Sequence, residues 1–286
     1  MSLVRLPSHI RRPPASAEQT HALKKLLRQA KLNTVCEEAR CPNISECFSR
    51  RTATFMILGD VCTRGCRFCS VTTGKPSFSE RDFADEGRRV AEAAAQLGLR
   101  HVVVTSVARD DLNDGGASGF VSTIAAIRDR TPEVTIEVLI PDFRGSEEAL
   151  QAVLDAGPDV LNHNLETVPR LYRRVRPGAT YLRSLELLRR AKNYAPAVMT
   201  KTGIMLGLGE TRAEVETLLR DCKSYLIDCF TAGQYMQPSR EHLPVDRYLE
   251  PSEFTEIEAL ARACGISQVF VGPLVRSSYH ADELVQ

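Results

Sequence analysis

The sequence predicts an α/β fold: a partial (β/α) TIM-like barrel of about six to seven β-α units, with N- and C-terminal extensions. Three observations carry that prediction. From about residue 50 onward, short apolar and β-branched runs alternate with longer amphipathic stretches. The strand-like runs are almost continuously apolar, as in parallel strands covered by helices on both faces. The length of 286 residues suits a barrel of ~250 residues with additions. Residues 1–50 read as an N-terminal extension, 51–275 as the barrel and 276–286 as a C-terminal tail.

The elements follow in order. The extension has a Pro-rich start, then "AEQTHALKKLLRQA", a helix with Leu23, Leu26 and Leu27 on one face, then a cysteine-bearing loop. The strands are "TATFMILG", "HVVVTSV", "TIEVLIPD", "VLNHNLET", "AVMTKTGIMLGL", "CFTAGQYMQ" and "SQVFVGPL". Between most of them lie the helices "RDFADEGRRVAEAAAQLG", "FVSTIAAIRDR", "SEEALQAVLDAG", "YLRSLELLRRAKNYA", "RAEVETLLRDCKSYL" and "SEFTEIEALARACG". Glycine ends three of these, where a C-cap wants it. A doubly wound sheet is the rival architecture, and the unit count favours the barrel. Barrel chemistry sits at the C-terminal ends of the strands. There the sequence places Cys62, Cys66 and Cys69; Ser106 and Arg109 to Asp111; Asp142; Asn162, Asn164 and Glu166; Lys201 and Thr202; Gln234 and Gln237; and Arg276 to Ser278. Strands also end in polar turns for purely structural reasons.

Composition narrows the function. Net charge is +1, aromatics are 6% and Trp is absent, which argues against nucleic acid as partner. No apolar run reaches the ~20 residues of a membrane helix. The N-terminus has a basic pair without an apolar stretch behind it, so a secretory signal is not expected. A cytoplasmic protein follows, and in a reducing compartment nine cysteines point to metal ligation or catalysis rather than disulfides.

Six of those cysteines form two triplets: Cys36, Cys41 and Cys47 in "CEEARCPNISEC", and Cys62, Cys66 and Cys69 in "CTRGCRFC". Thiolates select zinc, copper(I) or iron–sulfur clusters. Structural zinc closes with four ligands, and no second pair follows Cys69. A [4Fe–4S] cube wants one ligand per iron, so three cysteines leave one iron open to a substrate or cofactor. Buried structural cysteine is the plainer reading of either triplet. Cys222, Cys229 and Cys264 read as core residues.

"CTRGCRFC" resembles the C-x3-C-x2-C motif of the radical S-adenosylmethionine (SAM) superfamily. Together with "TVCEEARCPNISECF", "TSVARDDLNDGGASGF", "LNHNLETVPRLYRRVRPGATYLRSLELL", "TKTGIMLGLGE", "GQYMQPSREHLPV" and "PLVRSSYHA", it resembles the lipoyl synthase family over residues 33–282. Thr202 departs from the Ser expected there and keeps the hydroxyl. The resemblance implies insertion of two sulfur atoms, at C6 and C8, into an octanoyl chain carried on a lysine. It implies two [4Fe–4S] clusters and SAM. Cys62, Cys66 and Cys69 would hold the SAM-cleaving cluster. Cys36, Cys41 and Cys47 would hold an auxiliary cluster that donates the sulfur, completed by Ser278 (or its neighbour Ser277) as a releasable, catalytic ligand. Asn162, Asn164, Glu166, Arg176, Lys201 and Gln237 are the candidates for binding SAM; an ordinary polar rim or ion-pair network is the alternative. The implied partners are octanoylated lipoyl carrier domains (2-oxoacid dehydrogenase E2 subunits, the glycine cleavage H protein) and an electron donor such as ferredoxin or flavodoxin. "RLYRRVRPG" gathers Arg170, Arg173, Arg174 and Arg176, either as solvated helix-end charge or as a docking patch for an acidic carrier. A biotin synthase-like sulfur inserter and a non-enzymatic cluster carrier are the rival functions. The first should lack the upstream triplet and "RSSY", and the barrel argues against the second.

Overall fold

The structure, a computed structural model, describes residues 6–11, 24–38, 43, 54–77 and 83–278. The strands in chain order are β1 (Asn33–Thr34), β2 (Thr54–Ile57), β3 (Val61–Cys62), β4 (Thr72–Thr73), β5 (His101–Ser106), β6 (Thr135–Leu139), β7 (Val160–Asn162), β8 (Met199–Leu206), β9 (Cys229–Gln234) and β10 (Gln268–Val271). One sheet runs β1-β2-β5-β6-β7-β8-β9-β10, and β3 with β4 makes a separate pair. Every neighbour from β2 to β10 is parallel, and only β1 joins its neighbour antiparallel.

All seven predicted apolar runs contain a strand of this sheet. Their burial explains why they are not alternating: all of β2 and β9, and the first five residues of β5, are buried. The six predicted barrel helices are present as Phe83–Leu97, Ala117–Arg130, Glu147–Asp155, Tyr181–Tyr194, Arg212–Ser224 and Pro251–Ala263. Local sequence starts them well. Thr211 and Glu214 form a reciprocal capping box, and Pro251 sits in a first turn where no N–H is needed. In the extension, residues 24–29 are helical and Leu27 is fully buried, whereas Leu23 lies outside the described residues.

A buried charged cluster joins three of the strands. Lys201 Nζ lies 3.0 Å from each carboxylate oxygen of Glu137, and Asn162 Nδ2 donates to Glu137 Oε1 at 2.9 Å. His101 Nε2 is 3.3 Å from Glu137 Oε2 without the alignment of a hydrogen bond. Burial would raise the Glu137 carboxyl; the Lys201 charge overcomes it and holds the group down at about 2.

Past β10 the tail crosses the sheet and ties both chain ends together. Val275 O and the Arg276 guanidinium occupy the space a Cβ on Gly233 would need, so this crossing requires glycine. Asn43 Nδ2, from the upstream cysteine loop, donates to Leu274 O at 2.7 Å. Thr54 Oγ1, at the start of β2, donates to Ser278 Oγ at 2.9 Å.

Candidate active site at the cysteine loop

Cys62 ends β3, and Cys66 and Cys69 lie on the turn leading to β4. Segments far away in sequence fix this loop. Thr63 N and Oγ1 both donate to Ala108 O, at 3.0 and 2.9 Å. Arg67 N donates to Val175 O, and Leu243 N to Arg67 O, each at 3.0 Å. His242 Nε2 lies 3.0 Å from Cys69 O.

A largely buried ionic network backs the loop. Arg64 grips Asp110 bidentately, both contacts at 2.7 Å, and its NH2 lies 2.6 Å from Asp142 Oδ1. Arg183 reaches the other oxygen of Asp142 at 3.2 Å. In the sequence Arg64 is simply one of the residues between the first two cysteines of "CTRGCRFC". Its partners lie 46 and 78 residues away, so no local pattern announces the pairing.

The three thiols are half-buried. Ala108 N and Arg64 N donate to Cys62 Sγ at 3.3 and 3.4 Å. Burial pushes the Cys66 thiol up to about 12 and the Cys69 thiol up to about 11, so cluster loading must displace protons. Among the described residues no three Cys, His, Asp or Glu side chains close on one metal ion. A cube instead asks for one thiolate on each of several irons.

Asn164, Glu166 and Arg176 come together beside these thiols. The charges of Arg176 and Glu166 both act on Cys66, and that of Glu166 on Cys69. Arg176 NH1 donates to Asn164 O at 2.7 Å. The Glu166 carboxyl is raised by burial, against the pull of Arg176 and the Asn164 amide. Glu166 also sits at φ 68°, a left-handed conformation uncommon for a residue with a side chain. Behind Arg176, His163 Nδ1 donates to Ile140 O at 2.8 Å and Nε2 lies 3.0 Å from Ser184 Oγ. Burial, helped by the Arg176 charge, lowers His163 to about 3, so it is a neutral support. Neither His163 nor Ser184 carries a sequence signal for this role.

The space around this trio is built to take a polar ligand. Among the described residues, the buried side-chain oxygens of Ser106, Asn162 and Asn164 have no hydrogen-bond partner. A Cβ on Gly203 would overlap Thr231 Oγ1 and press on Asn164 Oδ1 at 3.1 Å, so glycine keeps the backbone close. Unpaired acceptors, an inward arginine and three thiols fit SAM and an iron–sulfur cube. Nearby, the loops after β5 and β6 enclose a cavity of ≈ 480 Å³ lined by Asp110, Asp111, Asn113, Phe143, Arg144 and Ser146.

Other candidates are placed elsewhere. Lys201 is fully buried on Glu137, the ion-pair alternative, and is not joined to the trio. Asn162 spends its amide on Glu137 but leaves its oxygen open. Gln237 is exposed and donates to the His242 carbonyl at 2.9 Å, touching the cysteine loop only through that turn. Cys36 falls in the short helix Val35–Glu38, but its side chain, and all of Cys41 and Cys47, lie outside the described residues.

The sequence profile of the Radical SAM superfamily matches residues 56–222, more than half of the chain. The solved structure of HydG, a maturase of the [FeFe]-hydrogenase, aligns over 96% of this chain and 65% of its own, at TM-score 0.57 and 15% identity. Methylornithine synthase aligns over 88% and 81%, at TM-score 0.55 and 15% identity. At such identities the likeness is one of fold. Profile, fold and cysteine loop together define a radical SAM enzyme, which uses SAM and a [4Fe–4S] cluster. A lipoyl synthase of Caldanaerobacter subterraneus subsp. tengcongensis is 54% identical over 93% of this chain and 92% of its own. One of Oceanobacillus iheyensis is 54% identical over 99% and 89%. The chain belongs to the lipoyl synthase family.

Proposed function

We propose that this enzyme inserts sulfur at C6 and C8 of a protein-bound octanoyl-lysine, drawing it from an auxiliary [4Fe–4S] cluster on Cys36, Cys41, Cys47 and Ser278. The observation that carries the two-cluster reading is the meeting of the chain ends. Thr54 holds the Ser278 hydroxyl, and Asn43, from between Cys41 and Cys47, holds Leu274. Because Thr34 pairs with Phe55, the chain entering the Cys36 helix runs beside Thr54. The proposed division of labour gives residues 1–50 the auxiliary cysteines, 51–275 the barrel and 276–286 the closing serine.

Cys62, Cys66 and Cys69 would hold the cluster, which would supply the electron for reductive cleavage of SAM and with it the power to take hydrogen from an unactivated C–H bond. The chain's own residues prepare that event. Arg176 would hold the SAM carboxylate, with His163 and Ser184 fixing its orientation. Glu166 and Asn164 Oδ1 would accept from the SAM ammonium. The apolar strands around them exclude water that would quench a radical. Ser278 is a harder, poorer ligand for cluster iron than a thiolate, which suits an iron that must leave. Lipoyl carrier domains supply the octanoyl-lysine, an acidic ferredoxin or flavodoxin the electron, and the compartment is the cytoplasm. Among the described residues no helix is long and apolar enough to cross a membrane.

Anaerobic incubation with SAM, a reductant and an octanoylated carrier peptide tests the proposal. A peptide heavier by two sulfurs, and about eight irons per chain, is the expected result. About four irons, or sulfur insertion undiminished in Ser278→Ala with Ser277→Ala as control, would sink the two-cluster reading.

A further inference from the structure

The cysteine loop lies at the surface, its half-buried cysteines alternating with exposed neighbours. Cys66 and Cys69 turn inward toward Glu166, yet Gly65 and Arg67 are exposed. The segments hydrogen-bonded to the loop are strongly basic on their outer side. Arg173 and Arg174 precede Val175, which accepts from Arg67 N; Arg240 lies three residues before Leu243, which donates to Arg67 O; and Lys75 follows Gly74, which donates to Cys62 O. Arg67, Lys75, Arg173, Arg174 and Arg240 are all exposed, and among the described residues their side chains make no hydrogen bond or ion pair. The exposed acids on the segments bonded to the loop are Asp60, Glu241 and Asp111, and Asp111 is already paired with Arg109 at 2.8 Å. The surplus is local, because the whole chain carries only +1. The other arginines of "RLYRRVRPG" are spent elsewhere: Arg170 pairs with Glu214 at 2.7 Å, and Arg176 turns inward.

We infer that this outer face of the cysteine loop is the docking surface for the electron donor, a small acidic protein carrying a flavin or iron–sulfur centre. The inference deepens the reading above and rests on its cluster at Cys62, Cys66 and Cys69. Position and charge both select a donor over the octanoylated carrier. A carrier must thread its lysine arm to the reacting atoms, whereas an electron needs only a short path, and this loop lies at the surface. Exposed, unpaired arginines steer an acidic partner by long-range attraction, and that attraction is screened by salt.

The test compares the parent enzyme with Arg173→Glu/Arg174→Glu and, separately, Arg240→Glu. Fluorescence anisotropy follows binding of labelled, oxidised flavodoxin, and SAM cleavage is driven in parallel by flavodoxin hydroquinone or by dithionite. The expected result is flavodoxin affinity about tenfold weaker at low salt, with the difference erased at high salt. Dithionite-driven cleavage and octanoyl-carrier binding should stay unchanged. Unaltered flavodoxin affinity would overturn the inference. So would lost carrier binding with flavodoxin binding intact, which would give the patch to the carrier. Failure of the underlying cluster reading shows separately, as unchanged iron content in Cys66→Ala.

Discussion

Replacing Asp142 by Asn should loosen the cysteine loop at a cost that the structure lets us work out. Asp142 is fully buried and uses both oxygens: Oδ1 meets Arg64 at 2.6 Å and accepts from Arg144 N at 3.1 Å, and Oδ2 meets Arg183 at 3.2 Å. Burial would raise its carboxyl, but Arg64 overcomes this and lowers it from 3.8 to about 2. A shift of that size corresponds to about 2–3 kcal/mol of folded-state stabilisation. Breaking a buried pair on one side costs about 3–5 kcal/mol, because Arg64 keeps its charge and only the Asp110 half of its partners. Asp142→Asn should therefore lose about 3 kcal/mol in urea unfolding at neutral pH. Arg183→Gln, acting on a partly exposed partner, should lose under about 1 kcal/mol. The sign of the pH dependence follows from a depressed carboxylate: its contribution is full above the unfolded value near 4 and fades as pH falls toward about 2. Parent and variant should then differ by a constant amount from pH 5 to 8 (~3 kcal/mol). A loss under about 1 kcal/mol at pH 7, or a difference that drifts between pH 5 and 8, would refute the reasoning.

Glu137→Gln strands a buried ammonium on Lys201 and should cost about 3–5 kcal/mol, whereas the double change Glu137→Leu/Lys201→Met should recover most of it in the same unfolding assay. His163 is held neutral by burial, so protons bind the unfolded chain first. Stability should fall by about 1.4 kcal/mol per pH unit below 6.5 from this group, and His163→Gln should flatten that slope. Iron chelation should leave the far-UV circular dichroism of the barrel unchanged, since Arg64, Asp110 and Asp142 hold the cysteine loop without metal; a large helical loss would contradict this. Gly233→Ala places a methyl on Val275 O and should expel the tail, seen as faster proteolysis after β10.

The barrel was legible in the sequence because strands buried on both faces leave continuous apolar runs, such as "HVVVT" of β5, and because glycines such as Gly157 mark helix ends with positive φ. Two-residue elements were not legible. β1 has too few residues for any periodicity, and its place on β2 is set by tertiary packing. The β3–β4 pair, which frames the cysteine loop, is equally short. At the site, the triplet spacing was explicit, but the residues that support it were not. Arg64 with Asp142, and Arg176 with His163 and Ser184, join segments with no shared local pattern. Lys201 marks the same limit: the sequence shows a lysine in an apolar strand but not its partner Glu137, 64 residues away, which it meets only on folding.

The crossing at Gly233 also sets a timetable. Asn43 and Thr54 leave the ribosome long before Leu274 and Ser278, with 231 and 224 residues between the partners. At ~5–20 residues per second that interval is roughly 10–45 seconds. Throughout it, Asn43 and Thr54 have been made but the tail residues they bond to have not. On the proposed two-cluster reading, iron loading at the upstream cysteines has a window defined by translation, which closes when the tail reaches Asn43 and Thr54.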